Sequence, residues 1–299
     1  MSPLRVWVAA SRPRTLPAAV APVLVGSAAA VYESGGDEFR WGAFAAALIG
    51  SIFIQIGTNL VNDYSDAKRG ADTVDRLGPV RVTAAGLVAP RSVLVATWIA
   101  FAFAVAAGIY LATVAGPIII AVGVASILAG VLYTGGPRPY GYAGLGEVFV
   151  FLFFGLVAVN GSYYVQLEEL AWLPFALSVA IGCLATAILV VNNIRDVDTD
   201  RRAEKRTLAV RIGRRAARAI YAGLLVLAFF VALGTLLIAD APWWSGLLLG
   251  AVWVALSRAP ARAVATRTDG PSLNRALAQT GALLGACSLA IAVSLVVSA

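Results

Sequence analysis

The chain has 299 residues, 60% of them hydrophobic and 13% charged, with a mean hydropathy of +0.84 and a formal net charge of +7. Soluble domains carry about 25% charged residues, so this is the composition of an all-α, polytopic membrane protein. The absence of histidine removes imidazole bases, imidazole metal ligands and histidine triads, and Cys183 and Cys287 lie inside apolar runs, which removes a disulfide framework or thiolate metal site.

Taken in order, Ser11-Arg12-Pro13-Arg14 precedes the first apolar run and offers no cleavage context, so no leader is expected. Apolar segments near the roughly 20 residues needed to span a bilayer fall at 15–32, 41–62, 92–111, 116–133, 146–166, 172–194, 216–238, 243–257 and 277–297. Nine helices are therefore predicted, with the termini on opposite sides. All of the 23 Lys and Arg residues except Arg40 then fall on one side, while Glu33, Asp37, Glu38, Glu168, Glu169 and Asp240 gather on the other. Cationic loops stay in the cytoplasm, which predicts a multi-pass cell-membrane protein with loops 64–90, 134–145 and 195–215 cytoplasmic. The positive charge reports topology and gives no ground for a nucleic-acid partner.

Two polar clusters interrupt this apolar pattern. Asn59-Leu-Val-Asn62-Asp63-Tyr-Ser-Asp66, running on through Gly70-Ala-Asp72, ends the second run, and Asn192-Asn193-Ile-Arg195-Asp196-Val-Asp198-Thr-Asp200 ends the sixth. They superpose without a gap at a spacing of 130 residues: Asn62 on Asn192, Asp63 on Asn193, Asp66 on Asp196. On a helix, residues four apart share a face with Cβ atoms about 6 Å apart, so Asn192, Asp196 and Asp200 would form an oxygen ladder about 12 Å long. Oxygen-only ligands suit Mg²⁺ shared with a phosphorylated substrate. Arg138, Arg195 and Lys205 are cations suited to a diphosphate leaving group, and Arg81-Val-Thr83 loosely echoes Lys205-Arg-Thr207. The loop Tyr133–Glu147 is dense in Gly, Pro and Tyr, a composition that brings backbone and aromatic faces close to a ligand. Phe149, Phe151, Phe153 and Phe154 are expected to face lipid or neighbouring helices rather than a site.

These motifs, with Arg12-Pro-Arg-Thr-Leu-Pro17 leading the first helix, Tyr133-Thr-Gly-Gly136, Gly141-Tyr142, Gly144-Leu-Gly-Glu147 and Lys205-x-Thr-Leu-Ala209, make the chain resemble the UbiA superfamily of intramembrane prenyltransferases over nearly its whole length. The likeness is greatest to the branch that prenylates 1,4-dihydroxy-2-naphthoate in menaquinone synthesis. The resemblance implies one domain over 1–299 with pseudo-repeated acidic motifs at 59–72 and 192–207, nine helices around a central cavity, and a tail exit to lipid. It implies Mg²⁺ held by Asn62, Asp66, Asn192, Asp196 and Asp200, with Arg138, Arg195 and Lys205 on the diphosphate of a polyprenyl diphosphate. Tyr133, Tyr140 and Arg14 would lie near the allylic cation or the aromatic acid, with Asn59 also on the substrate side. Asp66, Asp196, Arg138 and Lys205 would carry the chemistry. Other acceptors (4-hydroxybenzoate, homogentisate, a porphyrin, a phosphoribosyl sugar) stay open at this stage, as does a different metal-dependent phosphotransferase. A cation-coupled transporter is the alternative from another class, although transporters place such carboxylates near the bilayer midplane.

Overall fold

In hydrocarbon a backbone must satisfy its own hydrogen bonds, and a helix does so within a single segment. Each apolar run of this chain accordingly closes into one. The computed structural model describes residues 2–37, 39–71 and 77–299. Asp72 of the first motif, and Glu38 and Arg76 of the charge partition, lie outside the described residues. Every regular element among the described residues is helical.

Helix α1 (Pro3–Ser11) and a 3₁₀ turn (Pro13–Thr15) meet α2 (Pro17–Ser34) at a 51° bend, with Arg12 between them in the left-handed region at φ 55°. Prolines at the first helical position of α1 and α2 set φ where no N–H partner is available anyway. Then come α3 (Trp41–Lys68), α4 (Pro90–Ala115) and α5 (Ile118–Leu132). Helix α6 (Gly146–Val150) runs through a π-helical segment (Phe151–Val157) into α7 (Ala158–Leu167). Helices α8 (Trp172–Arg202), α9 (Leu208–Ile238, with non-helical backbone at Gly213), α10 (Trp243–Thr266) and α11 (Gly270–Ser298) complete the chain.

Among the described residues seven helices are long and apolar enough to cross a membrane, and the bent α1–α2 pair makes an eighth if counted as one span. The predicted span 116–133 corresponds to α5, whose 15 residues reach only about 22 Å at 1.5 Å per residue, short of a hydrocarbon core of about 30 Å. Its Ile118, Val124 and Leu128 are exposed, as befits an apolar surrounding. The two polar clusters are helical throughout: α3 continues past the predicted 62 to Lys68, and α8 past 194 to Arg202. Each helix stops where the chain turns left-handed, at Gly70 (φ 65°) and Glu204 (φ 57°).

The main core is built around α8, whose apolar stretch packs against α2, α9, α11 and the π segment. A second cluster joins α3, α4 and α7. At the end away from the acidic motifs, Gln166 grips Arg40 through both its backbone N–H and C=O, and the Arg40 side chain reaches Glu168 at 2.8 Å. The charge of Arg40 is thereby neutralised locally.

Candidate active site

The last turns of α3 and α8 face one cavity of about 270 Å³, whose wall includes Asn59, Asn62 and Asp66 from α3 and Asn192, Asn193, Asp196 and Asp200 from α8. Asp66 is 1% exposed and is the shared partner of three side chains. One of its oxygens, Oδ2, lies 3.0 Å from the Arg81 guanidinium and 3.1 Å from Lys205 Nζ. The other, Oδ1, accepts the Tyr142 hydroxyl at 2.6 Å. Lys205 also sits 4.8 Å above the Tyr142 ring, a cation–π distance. Asn62 presents Oδ1 to the Thr134 hydroxyl at 2.7 Å, and Asn59 donates to the Ser11 carbonyl at 3.0 Å, tying the α1–α2 bend to α3.

The second motif is braced from behind. Arg195, 1% exposed, donates to both oxygens of Asp196 at 2.8 and 2.5 Å, to Asn192 Oδ1 at 2.7 Å and to Asn274 Oδ1 at 2.7 Å. Asn274 in turn donates to the Leu77 carbonyl at 2.8 Å. Asp200 lies one turn further on, where its carbonyl accepts the Lys205 N–H at 2.9 Å and closes the turn that returns Lys205 to the cavity.

The third wall is aromatic. Tyr140 stacks on Phe149 with centroids 3.9 Å apart and meets Tyr133 edge-on at 5.5 Å. Its hydroxyl donates to the Ala129 carbonyl at 2.8 Å, and burial raises the phenol above its ordinary range, so it stays a neutral donor. Phe149, Phe153 and Phe154 line the cavity with it. This corrects the expectation that they face lipid or helices: Phe149 in α6 and Phe153 and Phe154 in the π segment turn their rings to the cavity. Phe151 packs on α8, beside Gly182.

The structure brings Tyr133, Tyr140 and Lys205 together with the five oxygen-bearing residues of the motifs, but redistributes the predicted arginines. Arg14 is exposed, because the left-handed turn at Arg12 directs Arg12 and Thr15 to the cavity wall instead. Arg138 is exposed on its loop and does not line the cavity. Arg195 does not line it either, since its guanidinium is committed to Asp196, Asn192 and Asn274. Arg81 and Tyr142 fill the places beside Asp66. The signal for Arg81 is its echo of Lys205 in sequence; Tyr142 stands in the Gly141-Tyr142 motif, which gives it no role beside Asp66.

The donor set can be tested against a metal directly. Among the described residues no three acidic side chains crowd into an all-protein cage. Carboxylates and amide oxygens from two helices instead share a cavity with cationic neighbours. That fits Mg²⁺, which takes one or two carboxylates, keeps waters and shares itself with substrate phosphates.

Fold and site together define an integral-membrane, all-helical protein built around a polar cavity in the bundle, with oxygen-bearing helices on two sides and an aromatic wall. The chain belongs to the UbiA prenyltransferase family, which matches residues 19–277. It is 43% identical over 296 residues to the 1,4-dihydroxy-2-naphthoate octaprenyltransferase of Mycobacterium tuberculosis, covering 98% of this chain and 97% of that protein. The enzyme of the same name from Escherichia coli is 38% identical over 232 residues, 76% of this chain and 74% of that one. In fold it is similar to a UbiA homologue from Archaeoglobus fulgidus solved with DMAPP and Mg²⁺: the TM-score is 0.65 at 15% identity, covering 98% and 99% of the two chains.

Proposed function

We propose that this protein transfers a polyprenyl group from polyprenyl diphosphate to 1,4-dihydroxy-2-naphthoate, releasing diphosphate and CO₂ and giving demethylmenaquinol, the reduced form of demethylmenaquinone. The observation that carries this reading is the meeting of Asp66, Arg81, Lys205 and Tyr142 with Asp196 and Asp200 in one cavity that also has an aromatic wall. The relatives at 38–43% identity supply the acceptor.

Asn62, Asp66, Asn192, Asp196 and Asp200 would hold Mg²⁺ with the diphosphate. When bound, the ion supplies charge stabilisation as the allylic C–O bond breaks. Lys205 and Arg81 place two positive charges on the cavity wall, where they neutralise departing diphosphate oxygens, and the Tyr142 hydroxyl offers a donor beside them. Arg195 keeps Asp196 and Asn192 aimed at the cavity. The faces of Tyr133, Tyr140, Phe149, Phe153 and Phe154 stabilise the allylic cation, while Ala18, Ala19, Ile54, Ala185, Ile188 and Leu189 keep water from quenching it. Arg12, rather than Arg14, sits with Thr15 and Asn59 at the acceptor end of the wall. The ring's own electrons form the new C–C bond and its carboxylate leaves as CO₂, so ionisation precedes any need for a base, in keeping with a chain that lacks histidine.

The cation partition supports a cell-membrane protein whose site opens to the cytoplasm. Turnover of purified protein against Mg²⁺ concentration tests the site. Asp196→Ala is expected to lose nearly all diphosphate release, whereas Asp198→Ala, two residues away but exposed and paired with Arg214, keeps it. Near-normal turnover in folded Asp196→Ala contradicts the reading.

A further inference from the structure

The 130-residue repeat that pairs Asn62 with Asn192 also pairs Asp63 with Asn193. Asp63 is 2% exposed and does not line the cavity. Its two oxygens accept the backbone N–H groups of Val82 at 3.0 Å and Thr83 at 2.9 Å. Arg81, the residue immediately before them, reaches Asp66. Asn193, 4% exposed, donates Nδ2 to Glu147 Oε1 at 2.8 Å. Glu147 begins the helix that follows the 133–145 loop, and Tyr142 of that loop donates to the same Asp66. Each motif therefore has, at one register, a buried side chain tied to a neighbouring loop, and each loop delivers one donor to one carboxylate.

We propose that Asp63 and Asn193 are paired positioning residues, which fasten the 77–89 and 133–145 loops to α3 and α8 so that Arg81 and Tyr142 converge on Asp66. The chemistry explains why the pair differs. Two successive backbone N–H groups need two acceptor oxygens, which Asp has and Asn lacks; a carboxylate partner such as Glu147 needs a donor, which Asn has and an ionised Asp lacks. The proposal rests on the prenyl-transfer reading for its kinetic test alone.

Two measurements decide it. Val82 is 0% exposed and both native cysteines are buried, so Val82→Cys in the full-length protein should react slowly with a maleimide. Adding Asp63→Asn is expected to speed labelling at least about tenfold, the opening that loss of one hydrogen bond to a charged group allows, whereas adding Asp198→Ala should not. In turnover, Asp63→Asn and Arg81→Ala should each lower kcat/KM for the prenyl diphosphate by about 10–100-fold, with acceptor KM unmoved. The double variant should fall no further than Arg81→Ala, the non-additivity of residues that act as one unit. Asn193→Ala with Tyr142→Phe should behave alike, and Glu147→Gln, which keeps an acceptor oxygen, should retain activity that Glu147→Ala loses. Should Asp63→Asn not accumulate, Asp63→Glu serves both arms. Unchanged thiol protection, or losses that multiply, overturn the proposal. Wild-type protein without prenyl transfer overturns the functional reading instead, and the labelling arm then decides the loop anchoring by itself.

Discussion

At the scale of single residues, the acidic motifs are held by partners rather than left to repel one another, and this changes what their removal should do. Three carboxylates and two amides (Asp66, Asp196, Asp200, Asn62 and Asn192) in two short clusters suggest that deleting one anion relieves repulsion and leaves folding intact. Asp66, however, is the shared partner of Arg81 and Lys205, all three nearly excluded from solvent. Removing one member of a buried pair costs about 3–5 kcal/mol because the remaining charge is stranded. Asp66→Ala should therefore lose turnover and also show a clearly lowered thermal midpoint, while Asp198→Ala, whose pair with Arg214 is solvent-exposed, should shift the midpoint by less than about 1 kcal/mol equivalent. A midpoint for Asp66→Ala equal to wild type would contradict this ion-pair arrangement. Lys205→Ala should weaken diphosphate binding and leave Mg²⁺ dependence largely intact. The oxygen-bearing residues were legible in the sequence because their four-residue spacing is a helical signature. The cations were less so, since any loop arginine on this side satisfies the charge bias. Only folding separates Arg81, which turns in, from Arg138 and Arg14, which stay outside.

At the scale of elements, apolar run lengths disclosed most of the helices, but two features hide from such a reading. Helix ends are one: an apolar count stops at the first polar residue, whereas α3 and α8 continue until a left-handed residue breaks them, and the placing of Asp66, Asp196 and Asp200 depends on that continuation. The π segment is the other. One additional residue in a turn leaves no trace in composition, yet Phe153 and Phe154 of this segment line the cavity. The segment is held there by close backbone approach, because a Cβ at Gly155 would lie 2.7 Å from both Gly182 Cα and the Ser178 carbonyl. Gly155→Ala is expected to destabilise the protein by about 1–3 kcal/mol through overpacking and to lower kcat as the aromatic wall shifts. Gly161→Ala, on the same continuous helix but with open space at its Cβ, serves as the comparison and should be tolerated. Equal behaviour of the two variants in thermal and turnover assays would argue that the π segment does not position these rings.

At the scale of the whole molecule, one cavity joins the two acidic motifs, with cations gathered at the same end and Arg40 neutralised at the other. The charge partition predicts that Arg201→Cys labels from the cytoplasmic side and Asp37→Cys from the opposite side; both positions are exposed and the native cysteines are buried. Labelling of both from one side would contradict the topology. Prenyl transfer itself is measured with an acceptor panel. Purified protein in lipid is given an allylic polyprenyl diphosphate with 1,4-dihydroxy-2-naphthoate, 4-hydroxybenzoate or homogentisate, in Mg²⁺ or in chelator. A prenylated product, diphosphate and CO₂ are expected with the naphthoate only when Mg²⁺ is present; turnover with 4-hydroxybenzoate and none with the naphthoate would overturn prenyl transfer to the naphthoate.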